Sequence, residues 1–185
     1  MDENKAAGMQ VVTTGIVARV SVTERPAAAR FNLRIDPAHL TRASKVFDLE
    51  IPDVIGSRTA KGARSALCLG PDEWVLHAPE DERDEIERAF LALYAEMPHS
   101  LVDISDREIG IEISGSGAET VLAAGCPLDL RELPIGSGTR SVFDSAQIVL
   151  IREEADRFLI EAWRSFAPHV RAILNRARDE LLLGL

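Results

Sequence analysis

Ile55–Gly56–Ser57–Arg58–Thr59 is followed 80 positions later by Ile135–Gly136–Ser137–Gly138–Thr139. This pair does not stand alone. Asp48–Leu49–Glu50–Ile51–Pro52 resembles Asp129–Leu130–Arg131–Glu132–Leu133–Pro134. Ile35–Asp36–Pro37–Ala38 corresponds to Ile113 and the start of the next helix, with Ala38 lying 80 positions before Ala118. Trp74–Val75–Leu76 sits where Phe158–Leu159–Ile160 recurs, 84 positions on. These landmarks come in the same order. A period near 80 is too long for a solenoid repeat. The reading is therefore an α+β fold: two βαββα halves related by a pseudo-twofold, with mainly antiparallel sheets that carry helices on one face. Residues 1–10 read as a flexible tail, 11–98 as the first half and 99–185 as the second.

The local signals agree with that frame. Val11–Val22 is rich in Val, Thr and Ile and reads as strand, and Thr23–Arg30 as a connection. Phe31–Asn32–Leu33–Arg34–Ile35 alternates apolar and polar residues, the mark of a half-buried strand. Asp36–Pro37 opens a helix to about Phe47, because Asp accepts orphan backbone N–H groups and proline is pre-set for the first helical position. Residues 48–63 read as loop, and Ala63–Leu69 and Trp74–Ala78 as a hairpin around Gly70–Pro71–Asp72–Glu73.

Glu80, Asp81 and Glu82 suit the positive end of a helix whose buried face carries Ile86, Phe90, Leu93, Tyr94 and Met97. Leu101–Ser105 and Glu108–Ile113 are further strands. Ser116–Gly117–Ala118–Glu119 has the pattern of a capping box. Arg140–Phe143, Gln147–Arg152 and Phe158–Trp163 follow as strands. A last helix from near Pro168 places Val170, Ile173, Leu174, Ala177 and Leu181 on one face.

Composition narrows the function. The chain has 185 residues, 46% of them hydrophobic and 28% charged, as in an ordinary globular protein. A net charge of −9 argues against nucleic acid, whose affinity rests on Lys and Arg at phosphates, and against an anionic membrane surface. No apolar run approaches the ~20 residues of a membrane span, and the polar start does not read as a signal peptide, so the cytoplasm is the default location. Cys68 and Cys126 are not spaced as a redox or zinc pair.

Candidate chemistry is sparse. Gly115–Ser116–Gly117 lies where a phosphate cradle would, but Thr120 occupies the position of the third glycine in a dinucleotide fingerprint, so a plain helix start is favoured. His39, His77, His99 and His169 fall in different elements and announce no metal site. Cys126 reads as a packed turn residue rather than a nucleophile, which would need a base and a lowered pKa. Asp103, Asp106, Glu108 and Glu112 could form a carboxylate pair for acid–base work, but alternation with isoleucines favours a solvated strand face. No catalytic residue and no metal ligand is expected.

Trp163, Arg164 and Phe166, in one loop before the last helix, have the composition of a binding hot spot. Leu182, Leu183 and Leu185 end the chain, and one helix face cannot bury the run Leu181–Leu182–Leu183. These residues are the partner-interface candidates.

Three stretches resemble the gamma subunit of heterotetrameric sarcosine oxidase: Leu101–Val102–Asp103–Ile104–Ser105–Asp106–Arg107, Gly125–Cys126–Pro127–Leu128–Asp129–Leu130, and Phe158 through Ala167 with its Trp163–Arg164–Ser165–Phe166. The resemblance spans roughly residues 30–180. It implies a fold similar to the folate-binding T protein of the glycine cleavage system, an aminomethyltransferase. It implies alpha, beta and delta subunits as partners, with gamma packed against the part of alpha that shares its fold. That complex demethylates sarcosine to glycine, forms hydrogen peroxide, and passes the one-carbon unit to tetrahydrofolate or releases formaldehyde.

The resemblance places FAD, FMN and NAD on the two large subunits and zinc on the smallest; none is expected in this chain. No catalytic residue carries over. Oxidation of a C–N bond needs a flavin or nicotinamide to take the electrons, and no fingerprint for either is present here. The alternatives are a stand-alone tetrahydrofolate-binding, aminomethyltransferase-like protein and a domain that self-associates.

Overall fold

The computed structural model describes residues 19–184. The strands are β1 (Ser21–Glu24), β2 (Ala29–Ile35), β3 (Arg58–Lys61), β4 (Arg64–Gly70), β5 (Glu73–Ala78), β6 (His99–Asp103), β7 (Glu108–Ser114), β8 (Ser137–Phe143), β9 (Ala146–Glu154) and β10 (Arg157–Trp163). The helices are α1 (Leu40–Phe47), α2 (Arg83–Ala92), α3 (Ala118–Ala123) and α4 (Ala167–Leu182). The strands form two five-stranded antiparallel sheets, ordered β6-β2-β5-β4-β3 and β1-β7-β10-β9-β8.

Element for element the two orders coincide, and the edges are exchanged. β1 precedes the first sheet in sequence but pairs with β7 of the second, whereas β6 precedes the second and pairs with β2 of the first. Each expected half, 11–98 and 99–185, thus gives an edge strand to the other's sheet. The first half holds three strands between its helices rather than the expected two. Arg58–Lys61 was hidden in the loop-like stretch because it carries no apolar alternation; a turn at Gly62 (φ 62°) folds it onto β4.

The inner strands β2, β4, β5, β7 and β10 are largely covered on both faces. One residue in two faces outward to helices. Phe31, Leu33, Trp74 and Leu76 pack with Phe47, Ile86 and Phe90 of α1 and α2. Ile111, Ile113, Phe158 and Ile160 pack with Val121, Leu122, Val170 and Leu174 of α3 and α4. Burying such a side chain fully stabilises by about 1.5–3 kcal/mol. The alternate residues face the opposite sheet, where Leu67, Ile151 and Leu159 meet in a small apolar centre.

Several local expectations hold. Asp36 Oδ1 accepts from Ala38 N at 2.9 Å, and a short 3₁₀ turn, Pro37–His39, leads into α1. Val170 and Leu174 of α4 are buried, with Ile173, Ala177 and Leu181 packed beside them. Others are corrected. α2 ends at Ala92, so Tyr94 leaves the helical face and stands exposed, edge-on to His99 at 5.7 Å. The capping box does not form: α3 is capped by Gly117 without a side-chain bond, because the Ser116 hydroxyl accepts from Arg19 N instead. The expected tail 1–10 and most of the Val11–Val22 strand lie outside the described residues.

Candidate functional site

Gly115–Ser116–Gly117, read as a plain helix start rather than a phosphate cradle, does lead into α3 at Ala118. Gly115 takes φ 111°, and a Cβ there would collide with the Arg19 carbonyl, so the strand leading into β1 occupies the space a phosphate would need. The carboxylates on β7 are not a solvated face. Glu108 is buried and its Oε1 accepts from Arg107 Nη2 at 2.8 Å, while Glu112 accepts from Arg25. Their face is the one turned to the other sheet. Burial, opposed by Arg107, raises the Glu108 pKa. Cys68 is wholly buried, and Cys126 sits in a packed turn 3.8 Å from Ser141 Oγ.

The layer between the sheets holds most of the buried charge. Arg30 on β2 donates from Nε to Glu161 Oε2 on β10 at 2.8 Å, and both side chains are almost fully buried. Gly110, opposite Glu161 in the β7–β10 register, makes the space: a Cβ there would lie 3.2 Å from Arg30 Nη2 and from Glu161 Oε1. Beside them His77 Nε2 stands 3.5 Å from Glu161 Oε1, and His77 Nδ1 stands 3.3 Å from Ser65 Oγ. A second cluster joins Glu153 to Arg25 and Arg58. At the opposite flank Arg140 Nη1 on β8 donates to Glu73 Oε2 on β5 at 2.9 Å, and Asn32 Nδ2 donates to Glu73 Oε1 at 2.7 Å.

Ser65, His77 and Glu161 have the residue types of a hydrolytic triad but not its chemistry. Burial, followed by the charges of Arg30, Arg58 and Arg25, holds the His77 pKa down at about 3, so the ring is a weak base. Burial raises the Glu161 pKa against the pull of Arg30, whose guanidinium already takes the carboxylate. A general base needs a pKa near the working pH, and His77 is far from it. Glu73 is driven the other way, to about 2, chiefly by its bond to Arg140.

Of the partner-interface candidates, the structure brings three together. Trp163 and Phe166 are about two-fifths exposed, with ring centroids 6.4 Å apart. The Arg107 guanidinium lies over the Trp163 ring at 5.6 Å. Arg164 is anchored by its own Nε and backbone N to the carbonyls of Asp106 and Arg107. Trp163 also forms part of the wall of a cavity of about 320 Å³ between the sheets, together with Val102, Glu73, Arg140, Glu108 and Glu161.

Leu182 and Leu183 are exposed too, but at the other end of the sixteen-residue α4, ~24 Å from Phe166 at 1.5 Å per residue. The aromatic loop and the leucines are therefore separate surfaces. Leu185 lies outside the described residues. Sequence reading missed a further apolar surface: Val54, Ile55 and Ile135 are exposed on either side of the matched Gly–Ser turns. The repeated Ile–Gly–Ser was its available signal.

Among the described residues no group of three His, Cys, Asp or Glu side chains is placed to hold a metal ion, and no helix is long and apolar enough to cross a membrane.

Two exchanged-edge antiparallel sheets with helices outside define the class: this is the fold of aminomethyltransferase T. The glycine cleavage system protein of that name from Bartonella henselae superposes with a TM-score of 0.66 at 17% identity, over 91% of this chain and 52% of that one. A chain of the heterotetrameric sarcosine oxidase from Corynebacterium sp. U-96, solved in complex with pyrrole 2-carboxylate, superposes with a TM-score of 0.81 at 23% identity, over 88% of this chain and 85% of that one.

Residues 32–180 match the sarcosine oxidase, gamma subunit family, and the chain belongs to it. Sarcosine oxidase subunit gamma of Corynebacterium sp. strain P-1 is 29% identical over 63% of this chain and 57% of its own length. The subunit of strain U-96 is 25% identical over 95% and 87%.

Proposed function

We propose that this chain serves as a non-catalytic gamma subunit in a heterotetrameric sarcosine oxidase. Its partners supply the flavins, the NAD and the zinc, and the assembly converts sarcosine to glycine with peroxide formation and transfer of the one-carbon unit to tetrahydrofolate or its release as formaldehyde. Its contribution is surface: it closes against a partner and stabilises it by mass action. The observation that carries this reading is the contrast between interior and edge. The buried charges are taken up largely by one another, and His77 is too weak a base for catalysis, while Trp163 and Phe166 stand exposed beside Arg107 and Arg164. Exposed aromatic and arginine groups of this kind anchor interfaces.

Co-expression with the large flavoprotein subunits tests it. The tagged chain should bring them down, and sarcosine oxidation should fall when it is omitted. Recovery of neither subunit, with unchanged oxidase activity in its absence, sinks the proposal.

A stand-alone tetrahydrofolate-binding protein is the second reading, favoured by the cavity of about 320 Å³ between the sheets. Calorimetry of the isolated chain with tetrahydrofolate decides it, since the scaffold reading expects no binding there.

A further inference from the structure

β6 is the last strand of its sheet and pairs with β2 on one side only. Along an antiparallel strand the bonding side alternates from residue to residue. Ile104 N donates to Arg30 O at 2.8 Å, so in the β2–β6 register Val102 and Ser100 bond inward to β2 as well. His99, Leu101 and Asp103 therefore turn their N–H and C=O groups outward, and among the described residues no backbone group takes them up.

An open edge invites a further strand, and folds blunt it with charge or with shortness. The other three edges are blunted in this way. β1 and β3 have four residues each and end in Glu24 and Lys61, and β8 carries Arg140. β6 pairs with β2 without a register shift, and its middle, Ser100–Leu101–Val102, is uncharged. The Asp103 carboxylate is already taken up by Arg83 and Ser105. Both faces beside the edge are apolar. On the helix side Leu91 and Tyr94 are more than half exposed and line a groove with His99 and Leu101. On the side of the other sheet Val102 is about half exposed and shares the wall of the 320 Å³ cavity with Trp163.

We propose that a partner subunit adds one extended strand to the open edge of β6. The strand bonds to the outward groups of His99, Leu101 and Asp103, and sets uncharged apolar side chains alternately on Leu91 with Tyr94 and on Val102. In strand addition the main-chain bonds give affinity and the pockets for alternate side chains give specificity. A five-residue edge is a fraction of the ~20–30 residues a side in a stable interface. The rest is at hand: Val102 continues the edge into the surface of Trp163 and Phe166. That continuity assigns the strand to the subunit covering those rings rather than to a second copy of this chain. The inference rests on the reading of the chain as an oxidase subunit.

The test is residue-resolved backbone amide exchange on the full chain alone and in its co-expressed complex with the large flavoprotein subunits. Alone, the Leu101 and Asp103 amides should exchange fast and the Val102 amide slowly. In the complex Leu101 and Asp103 should slow at least tenfold. Val102→Lys, which puts a charge beside the edge, should weaken complex formation at least tenfold and leave the chain's own urea midpoint nearly unchanged. A complex that forms with these two amides still exchanging fast, or that tolerates Val102→Lys, overturns the proposal and leaves the subunit reading standing. Protection of the isolated chain that disappears on dilution overturns it in favour of a second copy. If no complex forms, the subunit reading fails and the added strand with it. If Val102→Lys lowers the midpoint, the exchange of the unmodified chain decides alone.

Discussion

Ser57 and Ser137 pair with each other in an antiparallel bridge that links the two sheets. They hold matching places in the two strand orders, and next to them Gly138 N donates to Gly56 O at 3.0 Å. Two similar short motifs, Ile55–Gly56–Ser57 and Ile135–Gly136–Ser137, thus meet where the backbones come close enough to bond. Gly138 permits this approach. A Cβ there would sit 2.9 Å from Leu150 O and 3.0 Å from Ile151 Cγ1 and Leu67 Cδ2. Gly138→Ala should destabilise the chain by about 1–3 kcal/mol, as overpacking does, with the unfolding midpoint in urea as the measure. A midpoint at or above the parent's contradicts this role.

The Arg30–Glu161 pair predicts an asymmetry. Removing one partner leaves a buried charge alone, so Glu161→Gln and Arg30→Met should each cost about 3–5 kcal/mol. Replacing both with apolar residues should recover most of that loss. Equilibrium unfolding of the two single variants and the double variant gives the coupling. Additive losses would show that the two groups do not act as a pair.

Acid sensitivity should follow His77. Its folded pKa, about 3, lies below the ordinary 6.5, so the unfolded chain binds more protons between those values. Stability contributed by the neutral ring is present above about pH 6.5 and is lost as pH falls from there towards 3. Urea midpoints measured across this range should fall less steeply for His77→Gln than for the parent. Parallel curves would exclude the residue as a source of acid lability.

Surface variants separate the two apolar ends of α4. Trp163→Ala should weaken association with a partner subunit by about 2 kcal/mol, the threshold of a hot spot, and leave the chain's own unfolding midpoint nearly unchanged. Leu183→Ser, at the far end of the helix, tests whether the leucines belong to the same contact. The separation along α4 predicts that its effect on partner affinity adds to that of Trp163→Ala without coupling. Coupled losses would place both residues in one contact.

The class of fold was legible before any coordinates in the strongly periodic elements, such as α4 and Phe31–Ile35. What escaped was the second layer. Period-two alternation says that Arg30, Asn32, Glu108 and Glu161 share faces opposite the apolar ones, but not whether such a face meets water or another sheet. Here it meets another sheet, so Glu108, read as part of a solvated face, is buried with Arg107 as its partner. The same ambiguity hid Arg58–Lys61, a strand whose side chains carry no alternating pattern. At the candidate interface, loop composition singled out Trp163 and Phe166, which do lie together. Only the length of α4 separates them from Leu182 and Leu183.

The absorption spectrum of the purified chain, recorded with its sarcosine-dependent oxygen consumption, tests most directly whether this subunit carries redox chemistry of its own. The account predicts a colourless protein with no turnover. A stoichiometric flavin band, or oxygen uptake by the chain alone, would contradict it.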